Sequence, residues 1–245
     1  MMNGKVRSEV LREVIDIVST LVDEAKFNIT KEGLSLKVVD TAHVAMLELS
    51  ISKDAFDEFK FEPIQVGIDI DKVKEVLKLA RPGESIDIKL DENKNRLMLG
   101  VGNVTRWMSL VDTGGMSDPK VPNLNLPAKV SVKIDELRQG IRASESVSDH
   151  ITLKANPEGF EIVSEGETDS VNLKLSKDLL ERIECKEPVK SMFPLDYFSN
   201  MVKSISSSQS VTLLLGNDYP VKMEFEISAG KGKGMYLLAP RVETE

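Results

Sequence analysis

The chain has 245 residues, 41% hydrophobic and 29% charged, with a formal net charge of −8 and one cysteine, Cys185. That balance belongs to a folded globular protein of one large or two ordinary domains. It excludes an intrachain disulfide, a cysteine metal cluster and a uniformly basic nucleic-acid-binding surface, while leaving room for a local basic patch on an acidic body. With only 5% aromatic residues the core must rest on Val, Ile, Leu and Met. No apolar stretch approaches a membrane span, and Arg7, Glu9, Arg12 and Glu13 interrupt any signal-peptide run, so an intracellular protein is expected.

Helical periodicity through Val10, Leu11, Val14, Ile15, Val18, Leu21 and Val22 predicts a first helix over 8–25. Alternating strands are expected over 26–30, 34–38, 44–51 and 66–70, the last feeding a second helix that stops at Arg81-Pro82-Gly83. A hairpin follows over 85–90 and 96–101, and then a strand over 106–111. The segment 113–128 carries Gly114, Gly115, Pro119, Pro122 and Pro127 without either period, and reads as a long linker. Then the pattern restarts. A strand over 130–134 enters a third helix, strands cover 151–155, 160–164 and 171–175, a strand over 189–193 enters a fourth helix, and 211–215, 221–227 and 234–238 finish the sheet. The domains are therefore 1–112 and 129–245, joined by 113–128. The class is α+β with mostly antiparallel strands, and each half is internally doubled.

The doubling is written into three helices. Ile70-Asp71-Lys72-Val73-Lys74-Glu75-Val76-Leu77-Lys78, Ile134-Asp135-Glu136-Leu137-Arg138-Gln139-Gly140-Ile141-Arg142 and Leu195-Asp196-Tyr197-Phe198-Ser199-Asn200-Met201-Val202-Lys203 share an order. An apolar residue precedes an Asp, apolar residues stand two and six past it, and a base stands seven past it. The Asp reads as an N-cap, and the two later apolar positions share one buried face. Lys78, Arg142 and Lys203 thus start from equivalent places, and Arg12, after Leu11, offers a looser fourth copy. Exposed helix positions often hold bases, but three matching copies raise the alternative of a shared basic surface.

Little else carries chemistry. The histidines, His43 and His150, lack metal-ligand spacing. Asp40 and His43 are explained as well by a turn as by acid-base work, and His150 is expected to be exposed. Lys231-Gly232-Lys233-Gly234 reads as a flexible basic hairpin, and no nucleophile stands in a catalytic setting. Neither enzyme activity nor a cofactor or metal is expected. The strands containing Trp107, Met108, Ser109 and Leu110, and Val171, Leu173, Lys174 and Leu175, are candidate edges open to pairing with another chain.

Four segments in order resemble the proliferating-cell nuclear antigen family of DNA sliding clamps, across essentially the whole length. Asp40-Thr41-Ala42-His43-Val44 is similar to its Asp-Ser-x-His-Val signature, Gly67-Ile68-Asp69-Ile70 with Val76-Leu77-Lys78-Leu79-Ala80 to its second-helix region, and Glu187-Pro188-Val189 to the lead into its last helix. The most specific match is Tyr236-Leu237-Leu238-Ala239-Pro240-Arg241-Val242-Glu243, which is similar to the C-terminal Leu-Ala-Pro-Lys/Arg motif. The short length and compact loops look archaeal, which implies the cytoplasm and the nucleoid (the nucleus, were the chain eukaryotic).

The resemblance implies a closed homotrimeric ring around duplex DNA, helices lining the hole and sheets outside, opened by a clamp loader. It places Arg12, Lys74, Lys78, Arg138, Arg142 and Lys203 toward the DNA backbone, while Glu13, Ser19, Glu75 and Asp196 depart from family bases. Segment 113–128 becomes the connecting loop. Val121 and Leu124 would join His43, Val44, Pro220, Tyr236, Leu237, Leu238, Ala239 and Pro240 in a pocket for short peptides of DNA polymerase, flap endonuclease and DNA ligase. The Trp107 and Leu173 strands would pair between subunits. A subunit of a heterotrimeric clamp is the alternative, and a hydrolase using Asp40 and His43 a remote one.

Overall fold

The computed structural model describes residues 2–116 and 118–241. Two compact units emerge: Met1–Thr41 with Leu47–Lys120 and Glu226–Gly234, and Ala42–Met46 with Val121–Phe225 and Met235–Glu245.

In the first unit β1 (Met2–Arg7) runs directly into α1 (Ser8–Val18). Then come β2 (Glu24–Thr30), β3 (Gly33–Val39), β4 (Ala45–Ser52), β5 (Phe56–Lys60), β6 (Ile64–Asp69), α2 (Ile70–Leu77), β7 (Ser85–Asp91), β8 (Arg96–Val101) and β9 (Val104–Ser109). One sheet has the order β5-β1-β7-β8-β9, and a second run of neighbours is β4-β3-β2-β6. The second unit repeats the plan with β10 (Ala128–Lys133), α3 (Ile134–Ser144), β11 (His150–Asn156), β12 (Gly159–Glu165), β13 (Ser170–Ser176), β14 (Arg182–Glu184), β15 (Val189–Pro194), α4 (Leu195–Ser204), β16 (Ser210–Leu215), β17 (Val221–Ile227) and β18 (Gly232–Leu238). Its sheet is β13-β12-β11-β15, and its second run is β14-β10-β16-β17-β18.

Hydrogen bonds show why the units match. A helix leaves its first amides without internal partners. Here the first amide of each helix donates to a carbonyl just past the other helix of its pair: Ser8 to Glu84 (2.8 Å), Ile70 to Asp23, Ile134 to Gln209 and Leu195 to Asp149 (each 2.9 Å). Each helix therefore starts where its partner's chain ends. The apolar residues follow the same register, with Ile70, Val73 and Leu77, Ile134, Leu137 and Ile141, and Leu195, Phe198 and Val202 all buried. β1 and β10 share the same alternating burial, although only β10 was legible as a strand.

These bonds correct the predicted caps. Asp71, Asp135 and Asp196 are not N-caps but lie inside the first turn, where their charge favours the positive end of the helix dipole. The capping positions of α1, α3 and α4 are Arg7, Lys133 and Pro194, whose side chains have no acceptor to offer the first-turn amides. Among the four α-helices of the described residues, α2 alone has a side-chain cap, Asp69, which accepts from the Lys72 amide at 3.0 Å.

Two helices are shorter than their periodicity. α1 stops at Val18 because the Ser19 and Thr20 hydroxyls donate to the Asp16 and Ile17 carbonyls at 2.9 and 2.7 Å. α2 stops at Leu77, four residues before Arg81, in a turn stapled by Leu79 and Ala80 amides to Val76 and Leu77 carbonyls. The last hairpin turns at Ser228, Ala229 and Gly230, all at positive φ, so the Lys231–Gly234 segment is largely strand rather than a flexible loop.

Candidate functional site

The helix pairs set out the basic residues. Counting from each first residue, the fifth position holds Arg12, Lys74, Arg138 and Ser199, and the ninth holds Asp16, Lys78, Arg142 and Lys203. Arg12 is thus equivalent to Arg138, not to Arg142, and an aspartate fills the ninth place on α1. The fifth-position arginines do the same work in each unit. Arg12 Nη2 donates to the Leu77 carbonyl at 2.6 Å, and Arg138 Nη2 to the Ile205 carbonyl at 2.7 Å. Each ties its helix to the C-terminal end of the partner, where the negative end of the helix dipole attracts a cation.

The other bases keep acidic company. Lys78 meets Glu75 at 2.5 Å and Lys203 meets Glu145 at 2.7 Å, and these lysines hold both carboxyls below the usual range, with Ser199 assisting at Glu145. Burial raises the Asp16 carboxyl against the opposing pull of Lys74 and Arg12. Arg142 is exposed. Glu13 has a structural reason to be acidic: it is 3% exposed and accepts from the Ser228 amide at 3.3 Å, at the strained hairpin.

The second predicted group belongs wholly to the second unit. The Ala239 amide donates to the Val44 carbonyl at 2.9 Å, so the C-terminal segment lies beside the turn that carries His43. His43 is exposed at φ 57°, while Val44, Val121, Leu124, Pro220, Ala239 and Pro240 are half-buried. Tyr236 is 0% exposed, its ring 5.4 Å from that of Phe225 and its hydroxyl 3.0 Å from Ser204 Oγ. Tyr236 and Leu238 therefore belong to the interior, and Leu237, between them, is also nearly covered. The last two motif residues, Val242 and Glu243, lie outside the described residues.

Sequence reasoning passed over Tyr219. It is 51% exposed, and a Cβ placed on Gly216 would meet it at 3.3 Å and Leu126 at 3.5 Å, so Tyr219 and Leu126 flank one glycine. Buried Ser191 fixes the turn, donating to the Gly216 carbonyl at 2.8 Å and accepting from the Tyr219 amide at 3.1 Å. The aromatic inside Gly216-Asn217-Asp218-Tyr219-Pro220 was the available signal, since turns seldom need one.

The third group forms two sheet ends. β9 is terminal in its sheet and β13 in its own. The predicted strand over 106–111 is shifted to 104–109, because the Leu110 and Val111 amides leave the ladder for the Asn95 and Gly67 carbonyls. Val104 and Trp107 stand 49% and 42% exposed, while Met108 turns inward. On β13 Leu173 is half-buried opposite Ile162, Val171 is half-buried, Leu175 is buried, and Lys174 reaches Glu161 at 3.5 Å. Ser109 is exposed.

The remaining motifs offer no second site. Asp40 is buried and His43 exposed. His150 is less exposed than expected: its side chain is 19% accessible, with Nδ1 2.5 Å from Asp149 and Nε2 against Arg241. Cys185 is half-buried, with burial pushing its thiol up. Among the described residues no group of three or more His, Cys, Asp or Glu is arranged to hold a metal ion, and no helix is long and apolar enough to cross a membrane.

Residues 1–108 match the family model of the N-terminal domain of proliferating cell nuclear antigen, and residues 120–241 that of its C-terminal domain. The chain is 38% identical to a DNA polymerase sliding clamp of Methanocella arvoryzae, each covered over 100% of its length. It is 37% identical to one of Thermoplasma volcanium, covering 99% of this chain and 98% of that relative. A solved structure of the C-terminal region of FEN-1 bound to A. fulgidus PCNA superposes with a TM-score of 0.94 at 30% identity over 100% of both chains. PCNA from Thermococcus kodakaraensis shares the fold, with a TM-score of 0.90 at 24% identity over 98% of this chain and 100% of that one.

Proposed function

We propose a function from one premise: the chain belongs to the proliferating cell nuclear antigen family. It is a DNA sliding clamp, a scaffold without catalysis of its own that encircles duplex DNA as a closed ring of three copies and tethers replication and repair enzymes. The observation that carries the reading is the internal duplication. Each unit offers a helix pair with bases at repeated positions and a sheet with a terminal strand open to pairing, β9 in one and β13 in the other. Pairing of β9 on one copy with β13 on the next would close a ring and satisfy two open strand edges at once.

In this reading Lys74, Lys78, Arg142 and Lys203 meet phosphates, with Arg12 and Arg138 holding the helices that present them. Phosphate contacts carry no sequence information, which suits a ring that slides. Partner peptides of polymerase, flap endonuclease and ligase dock on the second unit. Val44, Ala239, Pro240, Pro220, Val121, Leu124 and Leu237 form the apolar wall beside exposed His43 and Tyr219, with Tyr236 and Leu238 behind it. A clamp loader opens the ring, and the protein works in an archaeal cytoplasm on the nucleoid.

The test is topological. The protein is loaded by a clamp loader onto nicked circular DNA, which is then cut once. Retention on the circle with release from the linear product is expected. Equal retention on both would mean ordinary surface binding and would refute encirclement.

A further inference from the structure

Lys26 lies on β2 directly across the ladder from Gly67 on β6. Its side chain is only 11% exposed, and its ammonium lies 3.1 Å from the Asp118 carboxylate and 3.0 Å from the Met116 carbonyl. Both partners belong to the connecting segment. A lysine this covered is costly unless its charge is paired and its donors are used, and here the loop supplies both. Gly67 completes the arrangement. It accepts from the Val111 amide at 2.9 Å, and a Cβ added to it would meet the Val111 carbonyl oxygen at 2.3 Å. Residue 67 must be glycine for the chain to leave β9 along this path. Paired residues of two strands project to the same face, so Lys26 and the start of the segment share one side of the sheet.

We propose that Lys26 is the anchor of the connecting segment, a positioning residue that holds Met116 and Asp118 against β2 and so fixes where Val121 and Leu124 begin. It does not itself contact a partner peptide. Its contribution is to order, before binding, a segment that carries two residues of the proposed pocket, which reduces the entropy lost on docking. The link to docking rests on the peptide-site reading above, while the anchoring does not. The sequence gives Lys26 no distinction, because alternation along β2 marks it as one more polar position.

Two readouts separate these layers. Lys120 is exposed and followed by Val121, so trypsin reports the freedom of the segment at that bond. Lys26→Met and Asp118→Asn are each expected to speed cleavage after Lys120 by roughly 5-fold or more, as an unanchored loop samples open states. The charge-reversed pair Lys26→Asp with Asp118→Lys is expected to restore much of the protection. The new lysine precedes Pro119 and adds no trypsin site. Asp118 is 47% exposed on the loop, so its variant keeps the core intact even where Lys26→Met disturbs folding.

The second readout is fluorescence anisotropy with a labelled peptide bearing one aliphatic and two aromatic anchors, whose affinity should fall by about 3- to 10-fold in Asp118→Asn. Wild-type cleavage rates after Lys120 in Asp118→Asn would overturn the anchor. Faster cleavage in a protein whose wild type ignores the peptide would keep the anchor and remove the peptide-site reading instead. Faster cleavage with unchanged peptide affinity would overturn the positioning role.

Discussion

Replacing Arg138 by Met should separate helix tying from phosphate contact. The side chain is about one-third exposed and gives 2.7 Å and 3.2 Å contacts to the Ile205 carbonyl and the Asp135 carboxylate. The carbonyl bond has a charged donor, a kind worth about 1.5–3 kcal/mol net. The same contact viewed as a cation at a helix C-terminus is worth up to ~2 kcal/mol when partly buried. The two descriptions count one interaction and are not summed, and the Asp135 pair is exposed and adds little. A loss of about 1.5–2 kcal/mol follows, or roughly 3–8 °C in unfolding midpoint for a chain of this length. Arg12→Met should behave alike, because Arg12 makes the equivalent 2.6 Å bond to Leu77. The control is Arg142→Met, exposed, which should change stability by less than ~0.5 kcal/mol. The assay pairs differential scanning calorimetry with duplex-DNA binding across a salt series. Arg142→Met should instead weaken DNA binding and make the salt dependence shallower by about 0.9 in log–log slope per lost phosphate contact. If Arg138→Met melts like the parent and loses DNA affinity as Arg142→Met does, the helix-tying argument is wrong.

Leu173→Glu should reduce self-association without unfolding the monomer, because Leu173 is only half-buried on the terminal strand β13; sedimentation showing an undiminished assembly would reject that edge as the interface. Gly159→Ala would place a Cβ 2.3 Å from the Leu175 carbonyl oxygen, a backbone atom that cannot swing aside, so a cost of about 1–3 kcal/mol is expected in urea unfolding. Tyr219→Ala should weaken partner-peptide binding with little change in stability, and unchanged affinity by anisotropy would remove Tyr219 from the wall. Asp69→Ala should cost about 1 kcal/mol at neutral pH as a lost cap. Hydrogen bonds from Lys72 hold the Asp69 carboxyl low, so its contribution is fully present above the unfolded value near 4 and is lost as pH falls through the folded value. The gap between wild type and variant should therefore narrow in acid, and a gap that stays constant to pH 2 would contradict the assignment.

The repeated helix phrase was legible because burial repeats every three or four residues and the same three apolar places recur in α2, α3 and α4. The edges were legible too: alternation and chain order marked the Trp107 and Leu173 strands, and both end their sheets. β1 was not, because Met2-Asn3-Gly4-Lys5-Val6 is too short and too polar to show a period, although its burial matches β10. Nor was the three-residue β14. The helix starts were misassigned to Asp71, Asp135 and Asp196 because a sequence shows which side chains can cap but not that each helix begins one residue earlier, where its first amide meets a distant carbonyl. For the same reason Arg12 and Arg138 looked like free bases. Their partners lie 65 and 67 residues away, and only the fold brings them together. Tyr236 was read as pocket surface from a motif, whereas its hydroxyl bond to Ser204 and full burial place it in the core.

The central claim is that copies of this chain close into a ring. Light scattering after size-exclusion chromatography, repeated over a dilution series, tests it most directly. The account predicts three times the monomer mass, persisting on dilution until the β9–β13 contacts dissociate. A stable monomer at every concentration would contradict a self-sufficient homotrimer and would point to a subunit that closes only with different partners.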